Sequence, residues 1–469
     1  MTESIAELIL PGTYIEVRSE GLIAVGSIAT GNVGIVGTAA RGPLGTVTPL
    51  GSVTEAIDVF GPPDPVSNPA HAGGPPLTLV RALQQVYAGG GSNVFAVRIA
   101  GGAPTAATLT VPASTGDAFL LTASEPGSWG NDIGVAVVDN GASVTPRFRV
   151  SLTYRNQREV FEGSNVGQLR TAFAGSLLVT VADGAAPANA NANVPAFSGS
   201  LTGGNSVPNV NSTHVADGLE LLEAAAVNIV LVAGLGASVA AAPLAAHVER
   251  TENDGRERIA LVGASGSDAT TVLNDAAGIA DDRMILVAPA LRVAEPGSDT
   301  LVTIGPSYLA AMIAGRLASL APHVSLTNQT LPITALKIDY TTTVHRSLLL
   351  ARVMTVRRRF GHQIVRGIST DPGAFSQVSV RRTVDFAKAG VRLGSNPYIG
   401  KLNNARVRAA LKATLDGFLS QMVVDEMLTG YELEVTATRP QEIRGIASVV
   451  MTLQPTFSID FIRVTMNLE

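Results

Sequence analysis

The 469-residue chain contains no cysteine. That removes disulfides, thiolate metal sites and thiol nucleophiles together, and it suits a reducing compartment without fixing one. Aromatic residues make up 4% of the chain and include a single tryptophan, Trp129. Charge is sparse as well: 15% of residues are charged, the formal net charge is −5, and no Lys/Arg run exceeds Arg357–Arg359. A protein that holds nucleic acid by neutralising phosphates needs a basic face that this balance does not supply, so nucleic acid is not an expected partner. Met1–Leu10 carries two glutamates and no base ahead of its apolar residues, which argues against a secretory signal. Ala224–Ala246 holds 23 residues without formal charge, but Asn228, Gly234, Gly236, Ser238 and Pro243 interrupt it. A buried strand, a tight loop and a helix are expected there, not a membrane span.

Motifs for chemistry are also missing. Gly263–Asp268 and Gly234-Leu-Gly236 follow apolar runs, yet neither completes G-x-G-x-x-G nor continues into G-K-[ST]. Ordinary strand-to-helix turns account for both. Gly305-Pro-Ser307 opens a helical stretch, where Ser307 is expected to act as an N-cap. The histidines (71, 214, 247, 323, 345 and 362) include no H-x-x-x-H pair and no HExxH. Asp281-Asp282 and Asp217 with Glu220 are expected at solvated helix ends or loops. Trp129, inside Pro126–Asn131, reads as a structural plug in a tight turn. No catalytic, cofactor-binding or metal-binding residue follows from the sequence.

What is present is strand and helix pattern. Apolar runs Ile229–Val232, Ile259–Val262 and Met284–Val287 alternate with helix-like stretches near 241–252, 268–280 and 306–320, a series that predicts a parallel sheet covered by helices. Val33–Val36 and Val94–Val97, flanking a helix at Leu77–Tyr87, are suited to the same sheet, which makes the core discontinuous. Residues 105–205 contain short alternating runs separated by turn residues, the pattern of an inserted β-sandwich, with Ala182–Val207 as a linker or loop. Farther on, Arg352–Phe360 and Arg381–Lys388 read as basic helices. A longer helix from about Asn404 to Leu428 places Val407, Leu411, Leu415, Phe418, Met422 and Val423 on one face, and Gly430 is its expected stop. Glu432–Thr438, Ile446–Leu453 and Phe457–Leu468 read as three strands of an antiparallel sheet. The fold class is therefore α+β and multidomain. Expected divisions are an N-terminal arm (1–28), a first core part (29–104), the insert (105–205), the rest of the α/β core (206–335), a C-terminal domain (336–454) and a strand arm (455–469).

Both chain ends look like strands. In the last stretch Phe457, Ile459, Phe461, Ile462, Val464, Met466 and Leu468 alternate with polar residues, with one slip of phase at 461–462. Near the start, Leu8–Val17 has similar character. Apolar β-rich termini need a sheet edge to lie against, their own or a neighbour's, and strand donation between subunits is the leading expectation.

These landmarks, taken in order, resemble the contractile tail sheath family of phage tails, R-type bacteriocins and phage-tail-like injection particles. The resemblance is carried by Pro11-Gly-Thr-Tyr-Ile-Glu-Val17, Gly34–Pro43, Tyr87–Arg98, Pro126–Asn131, Arg381–Lys388, the helix from 404 and the final strand. It departs from many relatives in having no tryptophan after Trp129, and residues 292–335 lack the most familiar family sequence. The resemblance implies a subtilisin-like but non-catalytic core and a structural subunit that polymerises with itself around an inner tube, meets baseplate and terminal cap proteins, and contracts. It implies strands exchanged between neighbours through Tyr14, Ile15, Val17, Phe457, Ile459, Phe461, Val464 and Met466, with flexible joints near Arg18–Ile28 and Thr438–Gly445. On that basis Arg406, Arg408 and Lys412 are expected to face acidic groups of the inner tube. The particle would sit in the producing cell's cytoplasm or a virion tail, or outside the cell after release. Two rivals remain at this point: a static tube or shell protein, and an α/β hydrolase or nucleotide-binding enzyme.

Overall fold

The computed structural model describes residues 28–67, 69, 74–295, 298 and 300–467, and forms two compact units. The larger unit comprises Ala29–Arg382 together with the segment from Phe457. Its centre is a nine-stranded sheet of β1 (Asn32–Gly37), β2 (Val47–Leu50), β3 (Asn93–Arg98), β4 (Ile229–Gly236), β5 (Ile259–Gly263), β6 (Met284–Ala288), β7 (Thr330–Leu331), β8 (Val353–Arg358) and β9 (His362–Ile364). Their spatial order is β7-β9-β8-β6-β5-β4-β1-β3-β2. The six strands from β8 to β3 run parallel, and β2, β9 and β7 add antiparallel margins.

Every residue of β1, β5 and β6 is buried, as unbroken Val/Ile/Leu runs require when a parallel sheet is covered on both faces. Helices α1 (Leu79–Gly89) and α3 (Pro306–Ala318) pack with Val33, Ile35 and Leu231 on one face, while α2 (Ala237–Asn253) packs with Val36, Val230 and Val232 on the other. Eleven residues of α3 are buried, so this helix is apolar nearly all round and lies inside the unit. Its backbone meets α1 directly. A Cβ on Gly315 would lie 1.9 Å from the Val86 carbonyl oxygen, and one on Gly89 would lie 2.1 Å from that of Met312, so neither position accepts a side chain.

Residues 107–201 enclose a core of their own around Phe119, Trp129, Phe148 and Phe173, between one four-stranded and one three-stranded antiparallel sheet. The stretch read as a linker contains a strand, Phe197–Ser200, paired with Gly134–Val137; its Gly and Ser positions hide the alternation. Both ends of this insert are fastened at one seam. Thr105 and Asn205 form a bridge, and the fully buried Arg98 donates to Gly42 O at 2.6 Å and to Pro126 O at 2.9 Å. Burial pulls the Arg98 guanidinium down to about 10, against an upward pull from Glu125, so it stays charged near neutrality. Trp129 donates to Glu125 O at 3.0 Å, stacks edge-on against Tyr154 and lies under the Arg41 guanidinium.

Arg352–Phe360 is not a helix. Val353, Met354, Thr355 and Val356 are all buried in β8 beside β6, and the three arginines that follow gave the run a false helical charge pattern. Residues 336–382, grouped by sequence with the C-terminal domain, consequently lie in the larger unit.

The smaller unit covers Thr383–Thr456. It holds the second part of α4 (Val378–Ser395), α5 (Ala405–Val424), and a ribbon of β10 (Leu428–Thr436) and β11 (Ser448–Pro455). Asn404 caps α5 by accepting from Val407 N. The expected stop at Gly430 is displaced: α5 ends at Val424, Glu426 takes the left-handed φ of +60°, and Gly430 lies within β10 at a register shift. Thr438–Gly445, expected as a loose joint, contains a capped helical turn, Arg439–Ile443, with Thr438 and Gln441 forming a capping box. Among the described residues no helix is long and apolar enough to cross a membrane.

One buried pair in the larger unit makes its stability depend on pH. His247 of α2 is fully buried and accepts from Arg258 Nη1 at 2.7 Å, and burial together with Arg258 pushes its pKa down to about 3. The folded chain therefore keeps His247 neutral where the unfolded chain, titrating near 6.5, takes up a proton. This contribution is intact above the unfolded pKa and is lost as pH falls from there toward 3. Urea unfolding at pH 7.5 and pH 5 should show wild type losing about 2 kcal/mol more than His247→Gln, whose amide oxygen can still accept from Arg258.

Candidate assembly surfaces of the C-terminal region

The smaller unit has a small core for its length. Ala387, Leu419, Met422, Met427 and Leu428 are buried, with Phe386, Phe418, Val423, Tyr431, Leu433 and Leu453 half covered around them. Tyr431 faces Leu453, Leu433 faces Met451 and Val435 faces Val449 across the ribbon. Among the described residues β10 and β11 pair only with each other, so the outer edge of each offers free backbone donors and acceptors. A two-stranded ribbon is marginal by itself and gains stability from added strands.

The run expected as a third strand forms no ladder among the described residues. Its first residues instead lie against the rest of the larger unit, held there by Ser458 and Asp460. Gln377 accepts from Ser458 N at 3.1 Å and donates to Ser458 O at 3.3 Å, standing in for a strand neighbour. Asp460 sits in a polar socket, its side chain 6% exposed: Arg366 Nε donates to it at 2.8 Å, Thr327 Oγ1 at 3.0 Å and Gln377 Nε2 at 3.2 Å. The apolar residues of the alternation point outward. Phe457, Ile459, Phe461, Ile462, Val464 and Met466 are between 62% and 85% exposed. Covering them would stabilise an assembly by roughly 10 kcal/mol before ordering costs. The sequence pattern identified these side chains, whereas the role of Asp460 escaped it because a lone acid in an alternating run looks like any solvent-facing residue.

Tyr14, Ile15 and Val17 lie outside the described residues. Arg406 and Lys412 are exposed on α5, and Arg408 is occupied within the unit, donating to Glu442 at 3.0 Å and to Asn403 Oδ1 at 2.8 Å. At about 100° per residue, Arg408 and Lys412 share one side of the helix and Arg406 lies on another. The motifs weighed for chemistry are accounted for locally. Gly236 is the N-cap of α2, Asp268 caps the helix Ala269–Ala277, and Ser307 is buried in the first turn of α3, where Gly305 and not Ser307 holds the N-cap position. Asp282 pairs with Arg381 at 2.7 Å, and Asp281 is half-buried, which raises its carboxyl pKa. Among the described residues no group of three His, Asp or Glu is placed to hold a metal.

Residues 370–469 match the phage tail sheath C-terminal domain. Over its whole length the chain has the fold of solved tail sheath proteins. It is similar to the sheath tail protein of Desulfitobacterium hafniense, at 17% identity and a TM-score of 0.67, covering 95% of this chain and 100% of that one. The sheath tail protein of Listeria innocua is similar at 12% identity and a TM-score of 0.63, covering 92% and 96%. The helical sheath of the anti-feeding prophage in its contracted state is similar at 13% identity and a TM-score of 0.59, covering 99% and 100%. A comparison with curated protein sequences gives no match.

The Asp460 socket generates a direct test on the purified chain. Replacing Asp460 with Ala removes charge-assisted hydrogen bonds of about 1.5–3 kcal/mol, so amide exchange at Ser458–Phe461 should accelerate about 10- to 100-fold while α3 amides stay unchanged.

Proposed function

We propose that this sheath protein polymerises into a helical tube around an inner tube and contracts to drive that tube through a target envelope. The observation that carries the reading is the outward apolar row of 457–467 combined with open ribbon edges in the sheath domain. A neighbour's ribbon edge supplies the ladder that this segment lacks within its own chain, and main-chain hydrogen bonds then join subunits while the rows of Phe, Ile, Val and Met become covered. Tyr14, Ile15 and Val17 take the corresponding part at the other chain end. Such contacts are heterologous and do not close, so repetition gives stacked rings or a helix.

Similarity to sheath assemblies solved in the contracted state supports contraction, and similarity to a chain of the anti-feeding prophage baseplate supports contact with a baseplate. The inner tube and a terminal cap complete the partners. The larger unit serves as a rigid body of subtilisin-like topology that acts without catalysis, as befits a structural family. Arg406 and Lys412 are the cations of α5 available to an acidic tube surface, because Arg408 is already paired with Glu442. The assembly acts in the producing cell, in a virion tail or in a released particle.

Negative-stain electron microscopy of the purified chain tests the reading: hollow ridged tubes are expected, and uniform monomers at high concentration would overturn it. Truncation after Thr456 should leave a folded protomer with an unchanged thermal midpoint for the larger unit and no tubes. Reversing Arg406 and Lys412 to Glu should leave empty tubes forming but reduce their filling when inner tube protein is added; undiminished filling would remove α5 from the tube contact.

A further inference from the structure

The β8–β9 hairpin carries a feature that its own chain does not use. Its three-residue connection, Arg359-Phe360-Gly361, places Phe360 at φ +51° and Gly361 at φ +101°, with Phe360 90% exposed. A left-handed conformation is unfavourable for a bulky side chain, and an aromatic ring held in water is unfavourable again, so two costs meet in one residue. Arg358 and Arg359, both exposed and without an ion pair among the described residues, precede it in the chain, and the half-buried His362 follows. The Arg359 guanidinium lies 5.8 Å from the Phe360 ring centre. The adjoining recess contains a single acid, Asp339, beside Tyr340, His345 and Arg357. An exposed aromatic beside two unpaired arginines is the composition of an interface anchor.

The same unit carries a groove of complementary character, with a volume of about 620 Å³. Ala245, Ala246 and Val248 of α2, with Ala280, Ala374 and Phe375, supply apolar walls, and Glu249, Glu252, Asp281, Asp282 and Asp371 supply carboxylates around them. Glu252 is taken by Arg283 and Asp282 by Arg381. Among the described residues Glu249, Asp281 and Asp371 have no cation within ion-pair distance.

Topology keeps knob and groove apart within one chain. Asp281 and Asp282 lie just before β6, whereas Phe360 lies just beyond β8, and Ala288 of β6 is opposite Thr355 of β8 in a parallel pair. The two features are therefore at opposite ends of the same strands, separated by about eleven residues of extended chain or ~35 Å. We propose that the Arg358-Arg359-Phe360 tip of one copy seats in the groove between α2 and the β6 entrance of a second copy, head to tail. Phe360 lies against Ala245, Ala246 and Phe375, and the arginines meet Glu249, Asp281 and Asp371. This contact rests on the sheath reading and adds to it a junction between rigid bodies, separate from strand exchange. Knob and groove are different surfaces, so the contact is heterologous and propagates along a polymer.

The absence of native cysteine makes the test direct. Assembled wild-type chain, F360C, A246C and the double variant F360C/A246C are oxidised and run on a non-reducing gel. A ladder of covalent oligomers in the double variant, with none in F360C or A246C alone, is the expected result. Tubes from the double variant that give no ladder would overturn this contact and leave the sheath reading standing, whereas failure of wild type to form any tube would strike the sheath reading itself. Independently, R358E/R359E should raise the critical concentration for assembly about 10-fold or more with an unchanged thermal midpoint, and E249R added to that background should recover part of the loss. Normal empty tubes that fail to fill with inner tube protein would instead assign the tip to the inner tube and overturn the proposal.

Discussion

A parallel sheet has to be covered on both faces, and the rest of the larger unit follows from that requirement. Six adjacent parallel strands leave no polar face to turn to water, so each crossover must return as a helix, and the helices themselves must pack. Gly89 and Gly315 let α1 and α3 approach at backbone distance, which closes one face in a single layer. On the other face α2 packs beside the helices Ser212–Leu221, Ala269–Ala277 and Thr342–Leu350, with His247 and Arg258 buried at its far end. With β1 inserted between β3 and β4, the N-terminal part of the chain is locked into the middle of the sheet before the insert begins.

The smaller unit is built on the opposite principle. A handful of buried side chains and a ribbon with two free edges leave much of its potential stability unrealised in a single copy. The segment from Phe457 shows the same incompleteness among the described residues: Ser458 and Asp460 are satisfied by Gln377, Thr327 and Arg366, while its apolar residues stay largely exposed.

How much could be read beforehand depended on periodicity. Ile229, Ile259 and Met284 begin uninterrupted apolar runs, and those runs coincide with β4, β5 and β6 because a doubly covered strand leaves no other composition possible. β8 was missed since only four buried residues precede Arg357-Arg358-Arg359, and charge at the strand exit outweighed the short β-branched core. Phe197–Ser200 was missed because small residues carry no alternation, and the end of α5 was placed late because Glu426, not a glycine, takes the left-handed turn. At the candidate surfaces the apolar row was legible as a pattern of two. Asp460 was not, since its socket gathers residues from positions 327, 366 and 377, which no local window contains. Arg408 likewise looked free until Glu442, from beyond the first ribbon strand, was found beside it.

The seam of the insert has a consequence for how such proteins diversify. Thr105 and Asn205 are bridged neighbours, and Arg98, Ser128 and Trp129 fix the entry on the same side as Ser206 and Gly204 fix the exit. Everything between these points has a private core, so its loops and outer strands can lengthen, shorten or change surface chemistry with no strand of the central sheet being displaced. The insert is thus mechanically insulated: a change inside it is absorbed by its own core and stops at the seam before it reaches the registers of the sheet beneath.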